Sequence, residues 1–112
     1  MSYLDEWKLA FVWTQAIELP VYFFLLRRQF RSWFAPVALS LFVNAVTHPL
    51  LWFVFPVFDP YPLWLAVAET SVTVTEALLV AAALRFRANR RALVAAVCAN
   101  AISTAIGFLL WR

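Results

Sequence analysis

Hydrophobic residues fall along this chain in four long stretches that three short polar segments separate. Each stretch comes close to the roughly 20 apolar residues that an α-helix needs to cross the hydrocarbon core of a bilayer. A membrane β-barrel would instead require alternating strands of about 10 residues, and the sequence has none. The pattern therefore predicts four transmembrane helices, at residues 7–26, 33–56, 63–84 and 92–111.

Composition supports a membrane location for these helices. Hydrophobic residues make up 65% of the 112 positions, and the mean hydropathy is +0.81. A soluble domain needs far more polar surface than this to cover its core. We therefore expect a single all-α integral membrane domain over residues 1–112, a four-helix bundle with short loops. The single cysteine, Cys98, offers no disulfide partner within the chain.

Positive charge is concentrated in two of the three predicted loops. Arginines cluster in RRQFR (27–31) and RFRANRR (85–91), against Lys8 and Arg112 at the opposite end. Lys and Arg resist translocation, so the arginine loops should face the cytoplasm and both termini the periplasm or exterior. Because these clusters flank apolar segments, the net charge of +3 indicates topology and not nucleic-acid binding. We expect a multi-pass protein of the inner (cytoplasmic) membrane, with the lipid bilayer as its immediate partner.

The two halves of the chain carry matching polar residues in the same order. IELPVYFFLLRRQFR aligns with TEALLVAAALRFRAN, which matches Glu18 to Glu76, and NAVT aligns with NAIS, which matches Asn44 to Asn100. Because the first and third helices run in the same direction, this predicts two parallel-related hairpins about an axis along the membrane normal. Chance similarity between two apolar hairpins is the alternative. The predicted repeats cover residues 7–56 and 63–111.

Polar residues in each predicted helix recur at spacings of three and four, which places them on one face. The candidate ligand- or proton-binding residues are Glu18, Asn44, His48, Glu69, Glu76 and Asn100. At about 1.5 Å rise per residue, His48 and Glu69 lie about one turn nearer the outside than the other four. A carboxyl in the bilayer centre costs about 2.5 to 3.5 kcal/mol, and a hydrogen bond between helices returns only about 0.6 kcal/mol. We therefore expect a functional site, although helix–helix adhesion is the alternative.

Two prolines lie beside these polar residues. Pro49 follows His48, the only histidine, and lacks the N–H that would bond the carbonyl of Ala45. Pro20 lies two residues after Glu18 and has the same effect on the first helix. We therefore expect kinks next to the polar groups of the first hairpin.

The candidate residues combine three carboxyl groups with one imidazole. Such a set suits a proton path or a divalent cation better than a structural zinc ion, which prefers Cys and His. The candidate metal ligands are His48, Glu69 and Glu76. The chain has no Glu-x-x-His motif of the kind found in di-iron bundles and no glycine-rich phosphate loop. A porphyrin or pigment bound through His48 is a further alternative.

The segments that carry these residues look familiar as a set. ELP at Glu18, NAVTHPLLWFVFP at Asn44, AE at Glu69, Glu76 itself and AN at Asn100 resemble a group of small bacterial four-helix membrane proteins without an assigned function. The resemblance covers nearly the whole chain. It implies the same fold and the same set of polar residues, and no activity.

Three classes of function are consistent with these features. The first is a small inner-membrane protein that handles protons or a cation, channel-like or transporter-like. The second is an accessory subunit of a larger membrane complex, and the third is an enzyme that modifies a lipid with Glu69 and His48 as acid and base. In helix four, Ala99, Ser103 and Gly107 form a seam of small residues that suits close approach of a neighbouring helix or a second protomer. So short a transporter is expected to work as a homo-oligomer or with partner subunits.

Overall fold

The structure, a computed structural model, describes residues 2–110, with side chains except at positions 108 and 110. It confirms the predicted all-helical architecture. The helices are α1 (Tyr3–Leu26), α2 (Phe34–Pro49), α3 (Tyr61–Ala83) and α4 (Asn89–Leu110). They form a bundle with principal extents of 41 × 25 × 24 Å. The long dimension matches the roughly 40–45 Å of a bilayer with its headgroups.

Three of these helices are long and apolar enough to cross a membrane, by length and composition. The segments are Tyr3–Gln29, Phe34–Val54 and Tyr61–Ala83. The fourth, α4, begins with Asn89, Arg90 and Arg91 and is rich in alanine. Its predicted end at Trp111, and the terminal Arg112, lie outside the described residues. The three apolar spans are compatible with a membrane protein, and insertion of all four helices stays a prediction.

The first helix begins earlier than its hydrophobic pattern predicts. It starts at Tyr3, before the predicted Trp7, because Ser2 and Asp5 form a capping box. The Asp5 N–H donates to Ser2 Oγ at 3.1 Å, and the Ser2 N–H donates to the Asp5 carboxylate at 3.3 Å. These bonds satisfy backbone donors that a helix N-terminus otherwise leaves free. The polar start of the chain therefore belongs to α1.

The two prolines have different effects on the backbone. The α-helical pattern of α1 continues through Pro20 to Leu26. After Pro49, α2 passes into a π-helical turn at Leu50–Val54, in which the Phe55 N–H donates to the Leu50 carbonyl at 2.8 Å. The proline has no N–H to give, so the regular ladder is interrupted at that point. The change of helix type thus lies directly after Pro49, beside His48, where the sequence predicted a kink.

The two arginine-bearing loops lie at the same end of the bundle. Arg91 Nη1 donates to the Leu25 carbonyl at 2.9 Å, which joins the start of α4 to the end of α1. The turn after α3 contains Arg85 and Phe86 with φ angles of 55° and 57°. This left-handed region is unfavourable for residues with a Cβ atom. A tight reversal is therefore made here without glycine.

A hydrophobic core fills the part of the bundle nearest the arginine loops. Its buried members are Tyr22, Leu26, Leu39, Val43, Val80, Ala81, Leu84, Ala92, Ala95 and Ala99. Because four of these are alanines on α3 and α4, the helix backbones can approach closely. The small-residue seam of α4 faces this interior, since Ala99 is fully buried and Ser103 contacts Glu18. Ala99 and Ser103 of the seam therefore face the interior of the same chain.

Candidate functional site

Polar side chains from all four helices meet in the middle of the bundle. We call this set the polar layer, and its members are Glu18, Asn44, Thr47, Glu76, Asn100 and Ser103. Exposure of Glu18, Glu76 and Asn100 is 2%, 0% and 5%. The polar stripes predicted from residue spacing therefore do face a common interior.

Glu76 has more hydrogen-bond partners than the other carboxyl group in this layer, Glu18. Its Oε1 atom accepts a hydrogen bond from the Tyr22 hydroxyl at 2.6 Å and one from Asn100 Nδ2 at 3.2 Å. Its Oε2 atom lies 2.8 Å from the Thr47 hydroxyl. Glu76 on α3 thus connects to α1, α2 and α4.

Glu18 is equally buried but has fewer partners. Its Oε2 atom lies 2.6 Å from the Ser103 hydroxyl of α4. Within residues 2–110, its Oε1 atom has no hydrogen-bond partner, although the Asn44 side chain lies next to the carboxyl group. Glu18 also interacts electrostatically with Glu76 and Glu69. The groups that act on these carboxyls are hydroxyls, amides and other carboxyls.

The two hydroxyls that contact these carboxyls each have a second acceptor within reach. Thr47 Oγ1 lies 3.0 Å from the Val43 carbonyl, and Ser103 Oγ lies 3.2 Å from the Asn100 carbonyl. A hydroxyl has one hydrogen to donate and two lone pairs that accept. It can therefore donate to an ionised carboxylate, or donate to the backbone carbonyl and accept from a protonated carboxyl group. Both protonation states of each glutamate can be hydrogen-bonded without moving the backbone.

The two asparagines are held by the same local bond. Asn44 Nδ2 donates to the Ser40 carbonyl at 3.0 Å, and Asn100 Nδ2 donates to the Ala96 carbonyl at 2.9 Å. Asn100 also donates to Glu76, and the Asn44 side chain lies next to the Glu18 carboxyl group, while Asn44 Oδ1 has no partner within residues 2–110. Both amides are therefore fixed by their own helix.

A cavity of about 440 Å³ lies above the polar layer, on the side away from the arginine loops. It runs from Trp52 and Tyr61, near the link between α2 and α3, to Glu18 and Asn100 at the middle of the bundle. Of the six candidate residues, the cavity is lined by Glu18, His48, Glu69 and Asn100. The other two, Asn44 and Glu76, lie in the buried layer and do not line it. The structure thus divides the candidates into four that line the cavity and two that do not.

His48 and Glu69 line the same cavity from different helices. The imidazole of His48 packs edge-on against Phe11, with ring centroids 5.6 Å apart, and its Nδ1 atom is buried without a partner within residues 2–110. The Glu69 carboxyl lies against Thr104 of α4. Both are half-buried. The structure therefore places both side chains in the lining of the same cavity, where His48 contacts Phe11 and Glu69 contacts Thr104.

The candidate metal ligands do not form a cluster. Among residues 2–110, no three His, Cys, Asp or Glu side chains lie together in a way that could hold a metal ion. Glu76 is occupied by three donors in the polar layer, while His48 and Glu69 face the cavity. The described part of the chain therefore provides no site with three or more such ligands for a divalent cation.

Sequence reasoning missed Tyr22 and the aromatic wall of the cavity. Tyr22 follows Glu18 by four residues and so shares its helix face, which is a signal that could have identified it. The wall includes Trp13, Trp52 and Trp64. Trp64 Nε1 donates to the Pro56 carbonyl at 3.0 Å, and this bond fixes the indole ring.

Comparison with known protein families, curated proteins and solved structures gives no match. The class of protein is therefore described from its fold and its candidate site. It is a bundle of four helices, three of them able to span a membrane by length and composition, with a buried carboxyl–hydroxyl layer beneath an aromatic-walled cavity. The resemblance to small bacterial four-helix membrane proteins stays a prediction.

Proposed function

We propose that this protein is a small multi-pass protein of the inner membrane that exchanges protons at its polar layer, as a transporter-like unit. The observation that carries the proposal is the pair of hydroxyls with alternative acceptors. Thr47 and Ser103 can each serve a glutamate in either protonation state. A carboxyl group that is hydrogen-bonded in both states can gain or lose a proton without a large rearrangement.

The packing below the polar layer favours a carrier over an open channel. Between this layer and the arginine loops, the described interior is mostly apolar, with Leu26, Val43 and Val80 among its side chains, and Ser40 is an isolated buried hydroxyl there. An open proton channel needs a continuous row of polar groups or water. Transfer to the arginine side therefore requires a conformational change, as in alternating access.

The proposed membrane topology determines the side of the membrane to which the cavity opens. With all four helices inserted, the arginine loops lie on the cytoplasmic side and both termini on the periplasmic side. The cavity then opens toward the periplasm, since it lies on the side away from these loops. Protons would enter the polar layer from that side through Glu18, which belongs to both the cavity lining and the layer.

The hydrogen bonds between the two hairpins are consistent with the proposed internal repeat. Each central glutamate contacts the hydroxyl of the opposite hairpin, because Glu18 meets Ser103 and Glu76 meets Thr47. These four residues correspond to one another in the aligned halves. A pseudo-twofold arrangement would give two similar proton sites, which a carrier can use in turn.

Proton flux into liposomes tests the proposal. Purified protein is reconstituted with a trapped pH-sensitive dye, and an inside-negative potential is imposed. We expect faster acidification than in protein-free liposomes, and a return to the protein-free rate in Glu18→Gln and Glu76→Gln. Glu6→Gln is the matched control, because Glu6 is exposed at the start of α1. Wild-type flux equal to that of protein-free liposomes, or equal flux in all variants, would overturn the proposal.

A further inference from the structure

The size of the cavity indicates an organic ligand. Its volume of about 440 Å³ falls in the range of about 300–1,000 Å³ that is typical of small-molecule pockets. A dehydrated metal ion would find no set of three protein ligands among residues 2–110. The volume of the cavity therefore suits a small organic molecule better than a bare metal ion.

The charge of the cavity indicates the sign of that ligand. Its described lining includes the carboxyl groups of Glu18 and Glu69, and no lysine or arginine. The Glu18 side chain is 2% exposed, yet its Oε1 atom has no partner among residues 2–110. A buried acceptor without a donor is costly, and a cationic group near it would supply the missing interaction.

The walls of the cavity are aromatic and held in place. Trp64 stacks on Tyr61 with centroids 5.7 Å apart, and its indole N–H is bonded to the Pro56 carbonyl. Trp52 packs against Tyr3, whose hydroxyl donates to the Trp52 carbonyl. Rings fixed in this way lose little freedom when a ligand binds, and their faces attract cations as well as apolar groups.

We infer that the cavity binds an organic cation with an apolar body, whose charge is held by Glu18 and Glu69 and whose body packs against the aromatic walls. The inference rests on the proposed function, because Glu18 would serve both the proton and the cation. Binding of one would then exclude the other at the same carboxylate.

The membrane itself offers such a ligand a route. Glu69, Asn100 and Thr104 line the cavity and also line a groove on the surface between α3 and α4. The partition between groove and cavity therefore includes the contact of Glu69 with Thr104. An amphipathic cation collects at a membrane surface with its apolar part in the lipid. It could enter sideways, with Glu69 as the first carboxylate that it meets.

Equilibrium dialysis against the whole protein in lipid nanodiscs tests the inference, with empty nanodiscs as the blank. The probe is radiolabelled benzyltrimethylammonium. Unlabelled tetramethylammonium supplies the charge without an aromatic body, and benzenesulfonate supplies an aromatic body with the opposite charge. We expect saturable binding of the probe, weak competition by tetramethylammonium and none by benzenesulfonate. This selectivity is measured on the wild-type chain and so does not depend on the folding of a variant.

Variants then locate the site. Glu18→Gln and Glu69→Gln should each bind the probe about tenfold more weakly, because a charge-assisted contact is lost. Glu6→Gln should bind as the wild type does. Absence of saturable binding, equal competition by benzenesulfonate, or unchanged binding in both cavity variants would overturn the inference. If proton flux depends on the glutamates but the probe does not bind, only the inferred ligand class is overturned. If the probe binds but no flux is measured, only the proposed function is overturned.

Discussion

Replacement of Glu76 tests whether the polar layer is held in the way its geometry indicates. In Glu76→Gln, the amide oxygen can still accept from Tyr22 and Asn100, as Glu76 Oε1 does at 2.6 and 3.2 Å. The new amide N–H can donate to Thr47, whose hydroxyl turns to the Val43 carbonyl at 3.0 Å. Every hydrogen bond of the protonated glutamate is therefore conserved.

Glu76→Leu removes the same charge but keeps no acceptor. The Tyr22 hydroxyl and one N–H of Asn100 are then left without partners in a buried position. An unsatisfied buried donor costs about 1–3 kcal/mol, so two of them cost about 2–6 kcal/mol. Because glutamine and leucine are both neutral, the comparison between them excludes the free energy of burying a charge.

The assay is reversible unfolding in mixed micelles, followed by the fluorescence of the six tryptophans. We expect the free energy of unfolding of Glu76→Gln to lie within about 1 kcal/mol of wild type, and that of Glu76→Leu to lie about 2–6 kcal/mol below it. Glu6→Gln and Glu6→Leu provide the matched pair at an exposed position. Equal destabilisation by glutamine and leucine at position 76 would refute the assigned hydrogen bonds.

Two further substitutions test single contacts by the same unfolding assay. Tyr22→Phe should lower the free energy of unfolding by about 0.6–1.7 kcal/mol, because only the bond to Glu76 is lost; no change in Tyr22→Phe would mean that the bond does not form. Arg85→Gly should be about 1 kcal/mol more stable than Arg85→Ala, because φ at this position is 55° and only alanine has a Cβ atom. Equal stability of the two Arg85 variants would contradict the left-handed turn.

Residue spacing was sufficient to predict the helices and the burial of their polar faces. Glu18 and Glu76 lie inward because each continues a stripe at intervals of three and four, and a lipid-facing carboxyl would be costly. The start of α1 could also have been read, since Ser2 and Asp5 have the spacing of a capping box. Local rules cover these features because each depends on one helix alone.

Contacts between helices could not be predicted in this way. Tyr22 is 54 positions from Glu76, and Ser103 is 85 positions from Glu18, so each bond depends on how the helices pack. Which candidates line the cavity could not be predicted for the same reason, because it depends on where the cavity ends between the packed helices. Pro49 was visible in the sequence, but whether the helix kinks or forms a π-turn is decided by its surroundings.

The central claim is that Glu18 and Glu76 exchange protons within the membrane. The most direct measurement is the infrared difference spectrum of the protein in lipid as the bulk pH is changed. We expect a carboxylic acid C=O band that changes with pH, shifts in deuterated water, and loses one component in Glu18→Gln and another in Glu76→Gln. A spectrum without pH-dependent carboxyl bands, or one that is identical in both variants and the wild type, would contradict the claim.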